Sequence, residues 1–70
     1  MALAARRQAV EATQRVELAS HQRREALLAF EQAAANQAWA EYTRLGRLAL
    51  EADERERHAR SALVDVLRNT

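Results

Sequence analysis

Two histidines are the side chains of this sequence most able to do chemistry near neutral pH, because imidazole titrates there. His21 lies four residues before Glu25, and Glu54 lies four residues before His58. On a helix, this spacing places a histidine and a carboxylate on one face, where the pair can contribute to a metal site. Glutamate is common in the chain, so chance pairs are expected. We therefore expect exposed histidines, with no metal and no cofactor.

A short run around one histidine resembles a known motif. Residues 20–27 read Ser-His-Gln-Arg-Arg-Glu-Ala-Leu. The run resembles the phosphoacceptor box of histidine-kinase dimerisation domains, in which a Ser-His pair is followed by an acidic residue and then by Arg and Leu. Arg24 and Leu27 match those offsets, whereas Gln22 replaces the acid. The resemblance implies a hairpin that dimerises into a four-helix bundle, with a phosphotransfer role for His21.

Arg23 and Glu56 are charged residues that interrupt two otherwise apolar stripes. Burying a lone charge is costly, so each should have a partner, and we treat them as a candidate buried polar pair that sets the register of assembly. With a turn at Asn36, Arg23 and Glu56 would not lie opposite each other along the two helices. This favours pairing between chains or a later turn. The alternative is that both side chains extend to the edge of their stripes.

The composition predicts that helices carry these residues. The chain has 70 residues, no Pro, no Cys and a single glycine, Gly46. Ala, Arg, Glu, Leu and Gln dominate, and all are strong helix formers. No glycine-rich phosphate loop or nucleophile elbow is present, so we expect a non-catalytic protein.

Apolar residues recur at helical spacing in residues 2–35 and 37–68. The first stripe contains Ala5, Ala9, Ala12, Val16, Ala19, Leu27, Phe30 and Ala34. The second contains Ala38, Tyr42, Leu45, Leu48, Ala49, Ala52, Ala59, Leu63, Val66 and Leu67. We predict an all-α fold, with residues 1–70 forming one antiparallel two-helix hairpin that turns near Asn36. Asn tolerates the left-handed conformation that ends a helix and can cap the next one.

One continuous helix of about 100 Å, paired as a coiled coil, is the alternative architecture. A coiled coil needs apolar residues at a spacing of seven, but the series that begins at Leu3 and Val10 continues with charged residues. This argues against the continuous helix. Gly46 is interpreted as a helical residue, because Leu45 and Leu48 on either side belong to one stripe.

The predicted core is thin, since aromatic residues are few and the stripes are mainly Ala and Leu. At about 25 cal/mol per Å² of buried apolar surface, such a core barely offsets the chain entropy. We predict that the stripes bind a partner helix, in a homodimer or a hetero-complex. The protein would then be a small adaptor, co-chaperone or assembly factor. The interface candidates are Val16, Leu27, Phe30, Trp39, Tyr42, Leu45, Leu48, Leu63 and Leu67.

The formal charge of +1, with acids and bases interspersed, argues against nucleic acid as a partner on electrostatic grounds. A nucleic-acid-binding regulator of the hairpin-dimer type remains an alternative. Its basic edge would be formed by Arg6, Arg7, Arg15, Arg23 and Arg24. The sequence has no apolar run of about 20 residues and no apolar stretch typical of a signal peptide. We expect a bacterial cytoplasmic protein without membrane contact.

Overall fold

Two long helices, packed against each other in an antiparallel hairpin, form the computed structural model of the chain, which describes residues 2–69. Helix α1 spans Ala2–Ala35 and helix α2 spans Trp39–Arg68. No strand occurs within these residues, so the prediction of an all-α, two-helix architecture is confirmed. The molecule measures 54 × 13 × 11 Å along its principal axes, which excludes one continuous helix. Neither helix is long and apolar enough to cross a membrane.

Helix α1 ends in a Schellman motif, in which two backbone N–H groups after the helix reach back to its last carbonyls. The Gln37 N–H donates to the Ala34 carbonyl at 3.1 Å, and the Ala38 N–H donates to the Ala33 carbonyl at 2.9 Å. Gln37 adopts a φ of 55°, in the left-handed region. The expectation that Asn36 takes this conformation is wrong, because the motif requires it one residue later.

Helix α2 begins at Trp39, two residues after the predicted start at position 37. Its N-cap is Ala38, which makes no side-chain capping hydrogen bond, so Asn36 does not cap this helix. The Ala38 carbonyl accepts the first helical hydrogen bond, from the Tyr42 N–H at 2.8 Å. The turn therefore occupies residues 36–38, between the two helices, and is centred on Gln37. This later turn changes which residues of α1 lie opposite which residues of α2.

Small side chains fill the contact between the helices. The buried apolar residues of the described chain are Ala12, Val16, Ala19, Ala33, Ala49 and Ala52. Larger members of the stripes, such as Leu27, Leu45 and Leu63, are only half-buried. Two helices cannot surround a large side chain, because each such residue meets a neighbour on one side only. Alanine at the contact lets the helix axes approach closely.

Aromatic side chains close the end of the hairpin beside the turn. The rings of Phe30 and Tyr42 lie 4.5 Å apart between centroids, and the Trp39 ring meets Tyr42 edge-on at 5.6 Å. Gly46 lies within α2, as predicted, and a Cβ there would come within 3.0 Å of the Phe30 ring. Glycine therefore allows the Phe30 ring to lie directly against the α2 backbone.

Replacing Gln37 by glycine should stabilise the hairpin by about 1 kcal/mol, because glycine adopts the left-handed conformation without a Cβ penalty. For a chain of this size, that gain raises the melting temperature by about 4–8 °C. The matched control is Asn36→Gly at the adjacent position, where the backbone does not have a positive φ. Thermal melts followed by circular dichroism measure both changes. Equal responses from the two variants would contradict the assignment of the strained residue.

Candidate functional site

A layer of charged side chains crosses the contact between the helices near its middle. The Arg23 Nε donates to the Asp53 Oδ1 at 2.9 Å and lies 4.0 Å from the Glu56 Oε1. Arg23 and Glu56 thus come together within one chain, which fits the later turn and not the alternative of pairing between chains. Sequence reasoning missed Asp53, the closer partner. The position of Asp53 next to Ala52, at the edge of the second stripe, could have indicated that it lies near α1.

Two further arginines extend this layer. The Arg57 Nη2 lies 2.9 Å from the Asp53 Oδ2, and the Arg60 Nε lies 3.5 Å from the Glu56 Oε1. The Arg60 Nη2 also donates to the Ser20 Oγ at 3.4 Å, which links α2 back to α1. We call this set the charged cluster. Its members are Ser20, Arg23, Asp53, Glu56, Arg57 and Arg60.

Glu56 is the most enclosed acid of the charged cluster, with its side chain 14% exposed. The hydrogen bond from Ser20 lowers the pKa of Glu56, and the charges of Arg60 and Arg23 lower it further, against the opposing effect of burial. Hydrogen bonds and positive charges both favour the ionised form. Glu56 is therefore a carboxylate at neutral pH, suited to holding the helices together rather than to exchanging protons.

An apolar groove runs beside the charged cluster, between α1 and the N-terminal half of α2. We call it the α2 groove. It has a volume of about 700 Å³. It is lined by Arg23, Leu27, Phe30, Tyr42, Thr43, Gly46, Arg47, Ala49, Leu50, Asp53 and Arg57. Apolar atoms form most of its surface, and its lining includes charged side chains of both signs. We consider the α2 groove as the candidate binding site of the described residues.

Two large apolar side chains stand exposed at the α2 groove. Leu50 lines it and is 71% exposed, and Trp39, which touches the groove residue Tyr42, is 61% exposed. Sequence reasoning selected Trp39 but missed Leu50, because Leu50 lies outside the stripe that faces α1. Exposed aliphatic and aromatic residues next to a concave surface are typical of binding sites.

The predicted interface residues divide between the α2 groove and the rest of the hairpin. Leu27, Phe30 and Tyr42 line the groove. The remaining candidates lie outside the groove lining; they are Val16, Trp39, Leu45, Leu48, Leu63 and Leu67. Of these, Val16 is buried against α2, whereas Leu48 is exposed. The structure therefore brings three of the nine candidates together in the groove.

The histidines lie on the outer surface. The His21 Nε2 lies 2.8 Å from the Glu25 Oε1, with both side chains more than half exposed. His58 and Glu54 are exposed as well. No three acidic or histidine side chains converge on a metal-binding position in the described part of the chain. Arg23 is held by Asp53, so it does not belong to an exposed basic edge of α1.

Comparisons with known proteins give no match: neither a family model, nor a curated protein, nor a solved structure is similar to this chain.

Acidification should destabilise the hairpin partly through Glu56. Its pKa is lowered in the folded state from the ordinary value of 4.5, so the unfolded chain takes up the proton first. The stabilisation is present above pH 4.5 and is lost as the pH falls through the lowered, folded-state pKa. Urea unfolding at a series of pH values between neutrality and about pH 2.5 measures the free energy of unfolding. The decrease in this free energy on acidification should be smaller for Glu56→Gln than for the unaltered chain.

The control for this measurement is Glu54→Gln, which alters an exposed acid two positions away. It should keep the same fall in unfolding free energy as the unaltered chain. A Glu56→Gln variant with the full acid-induced fall would show that the charged cluster does not depend on ionised Glu56.

Proposed function

We propose that the hairpin is a non-catalytic protein-interaction module that binds an α-helix in the α2 groove. The observation that carries the proposal is the distribution of large apolar side chains. Among the described residues, the buried apolar set consists of five alanines and Val16, and no large side chain is fully buried. The hairpin therefore leaves much of its apolar surface in water, and covering that surface with a partner is favourable.

The surface area of the hairpin supports the same proposal. The molecule exposes 5575 Å², whereas a compact monomer of its mass, 7.9 kDa, is expected to expose about 4,400 Å². The difference is comparable to the share of about 800 Å² that each partner contributes to a standard protein interface. One helix-sized contact would remove this excess.

The chemistry of the α2 groove suits an amphipathic helix. Phe30 and Tyr42 offer aromatic surface at its base, and Asp53 and Arg57 carry opposite charges at its edge. Amphipathic helices bind such grooves by burying their apolar face and leaving their polar face at the rim. Aromatic residues are also enriched among those that dominate binding energy. A dimeric four-helix bundle and a complex with a different protein are the two forms that this binding can take.

The placement of arginine favours protein over nucleic acid as the partner. Arg23, Arg57 and Arg60 each lie within 4.0 Å of a carboxylate of the charged cluster. Their charges are locally balanced, and the formal charge of the whole chain is only +1. Nucleic-acid binding depends on arginines and lysines that neutralise phosphates.

Site-specific photocrosslinking tests the proposed function. A benzophenone amino acid replaces Leu50 in the α2 groove or, as the matched control, Leu18, which is 58% exposed and outside the groove lining. Irradiation of cells that produce each variant should give a discrete protein adduct from position 50 and little from position 18. Mass spectrometry then identifies the adduct. No adduct from position 50, or equal labelling from both positions, would refute the function.

A further inference from the structure

We propose that the occupant of the α2 groove is a second copy of this chain, with the two α2 helices packed antiparallel about a two-fold axis at the level of Leu48. This inference rests on the proposed function, because it names the partner for the same groove. It goes further by specifying the direction and register of the contact. The arguments come from spacing, charge and area.

One side of α2 carries a regular series, in which four members are exposed and two, Gly46 and Asp53, are partly covered by α1. The spacing alternates between four and three residues, which keeps the series on one face of a helix that packs against another. The series consists of Trp39, Thr43, Gly46, Leu50, Asp53 and Arg57. Its last five members all line the α2 groove, and Trp39 adjoins the groove through its contact with Tyr42. Hence this face of α2, together with the groove, can receive a helix along its length.

An antiparallel copy makes the series complementary to itself. With the axis at the level of Leu48, Leu50 lies opposite Gly46 of the second copy, where it can pack against the Phe30 ring that covers this glycine. The Thr43 hydroxyl comes level with the carboxylate of Asp53 of the second copy, to which it can donate. Two-fold symmetry makes each contact occur twice.

The outermost pair of the series combines an aromatic ring with a cation. Trp39 comes level with Arg57 of the second copy, and a guanidinium over an indole face is a favourable arrangement. Arg57 can keep its ion pair with Asp53, because a guanidinium offers five N–H donors as well as its flat face. The ends of the contact would thus cover the most exposed aromatic residue of the hairpin.

Charge selects the antiparallel direction. A parallel pair in register would place Asp53 opposite Asp53 and Arg57 opposite Arg57, and like charges in contact oppose association. The antiparallel pair avoids both repulsions. The overall charge of +1 also leaves two copies with little long-range repulsion.

The dimensions of the contact agree with a stable dimer. From Trp39 to Arg57, the series extends over 18 residues of helix, or about 27 Å. Each copy places its α2 beside both helices of the other, which gives a four-helix arrangement with a mostly apolar centre. The excess surface of each hairpin is enough to supply its half of such an interface.

Sedimentation equilibrium from about 1 µM to about 500 µM tests the dimer. The chain should form a reversible dimer, and Leu50→Asp should weaken it at least about a hundred-fold, since two leucines leave the contact at once. Leu18→Asp, at an exposed position outside the groove, should dimerise like the unaltered chain. Circular dichroism checks that both variants keep their helices. A monomer throughout this range, or equal weakening by both variants, would overturn the inference.

Spin-label distances test the antiparallel direction without altering the groove lining. Labels on Ser61→Cys should be offset along the helix axis by about 39 Å between copies, and labels on Glu51→Cys by about 9 Å. Pulsed electron resonance on the dimers measures both separations. Similar distances at the two positions would indicate a parallel pair and overturn the proposed register.

The failures of the two proposals can be told apart. A position-50 photoadduct with a different protein, together with a monomer in solution, would keep the interaction function and exclude the second copy as occupant. No position-50 adduct and no dimer would exclude both.

Discussion

Close approach of two helices over alanine is the constraint on which the rest of this structure depends. Ala12, Ala19, Ala49 and Ala52 bring the helices together, but they bury little apolar area for each residue that is ordered. Every larger apolar side chain then falls at the margin of the contact, where one neighbour is missing. The exposed groove and the exposed Leu50 both follow from this geometry.

The charged cluster adds specificity that a contact of alanines lacks. Methyl groups can slide past one another with little penalty, whereas the bond from Arg23 to Asp53 has a defined length and direction. Ser20 and Arg60 repeat the link one turn away. The cluster therefore selects one register between the helices. This register in turn places Phe30 against Gly46 and gives the groove its shape.

The sequence predicted the helices well because their period is encoded in many residues at once. Val16 and Ala49, for example, are apolar at positions that share a face with several others. The turn lies near Asn36, as predicted, but its left-handed residue was not identified, because Gln37 carries no glycine-like signal and its conformation arises from backbone hydrogen bonds of the Schellman motif. Asp53 was missed for a related reason: its partner lies 30 residues away, and that pairing depends on the turn.

The groove was the least predictable feature. Leu50 looks like an ordinary surface residue on a helical wheel, and only the three-dimensional packing shows that it borders a concave apolar surface. Phe30 and Tyr42 were selected as interface residues from their type and spacing. The position of Phe30 beside a glycine that leaves room for its ring could not be deduced from spacing alone.

The placement of Trp39 makes it an intrinsic fluorescence probe of the hairpin. It is the single tryptophan of the chain, it is exposed, and it stands edge-on to Tyr42 at the end of the molecule. Its fluorescence emission therefore reports on one identified location, and a molecule that shields the indole from water shifts that emission to shorter wavelength. Events at this end of the hairpin can be followed in the native chain without any attached dye.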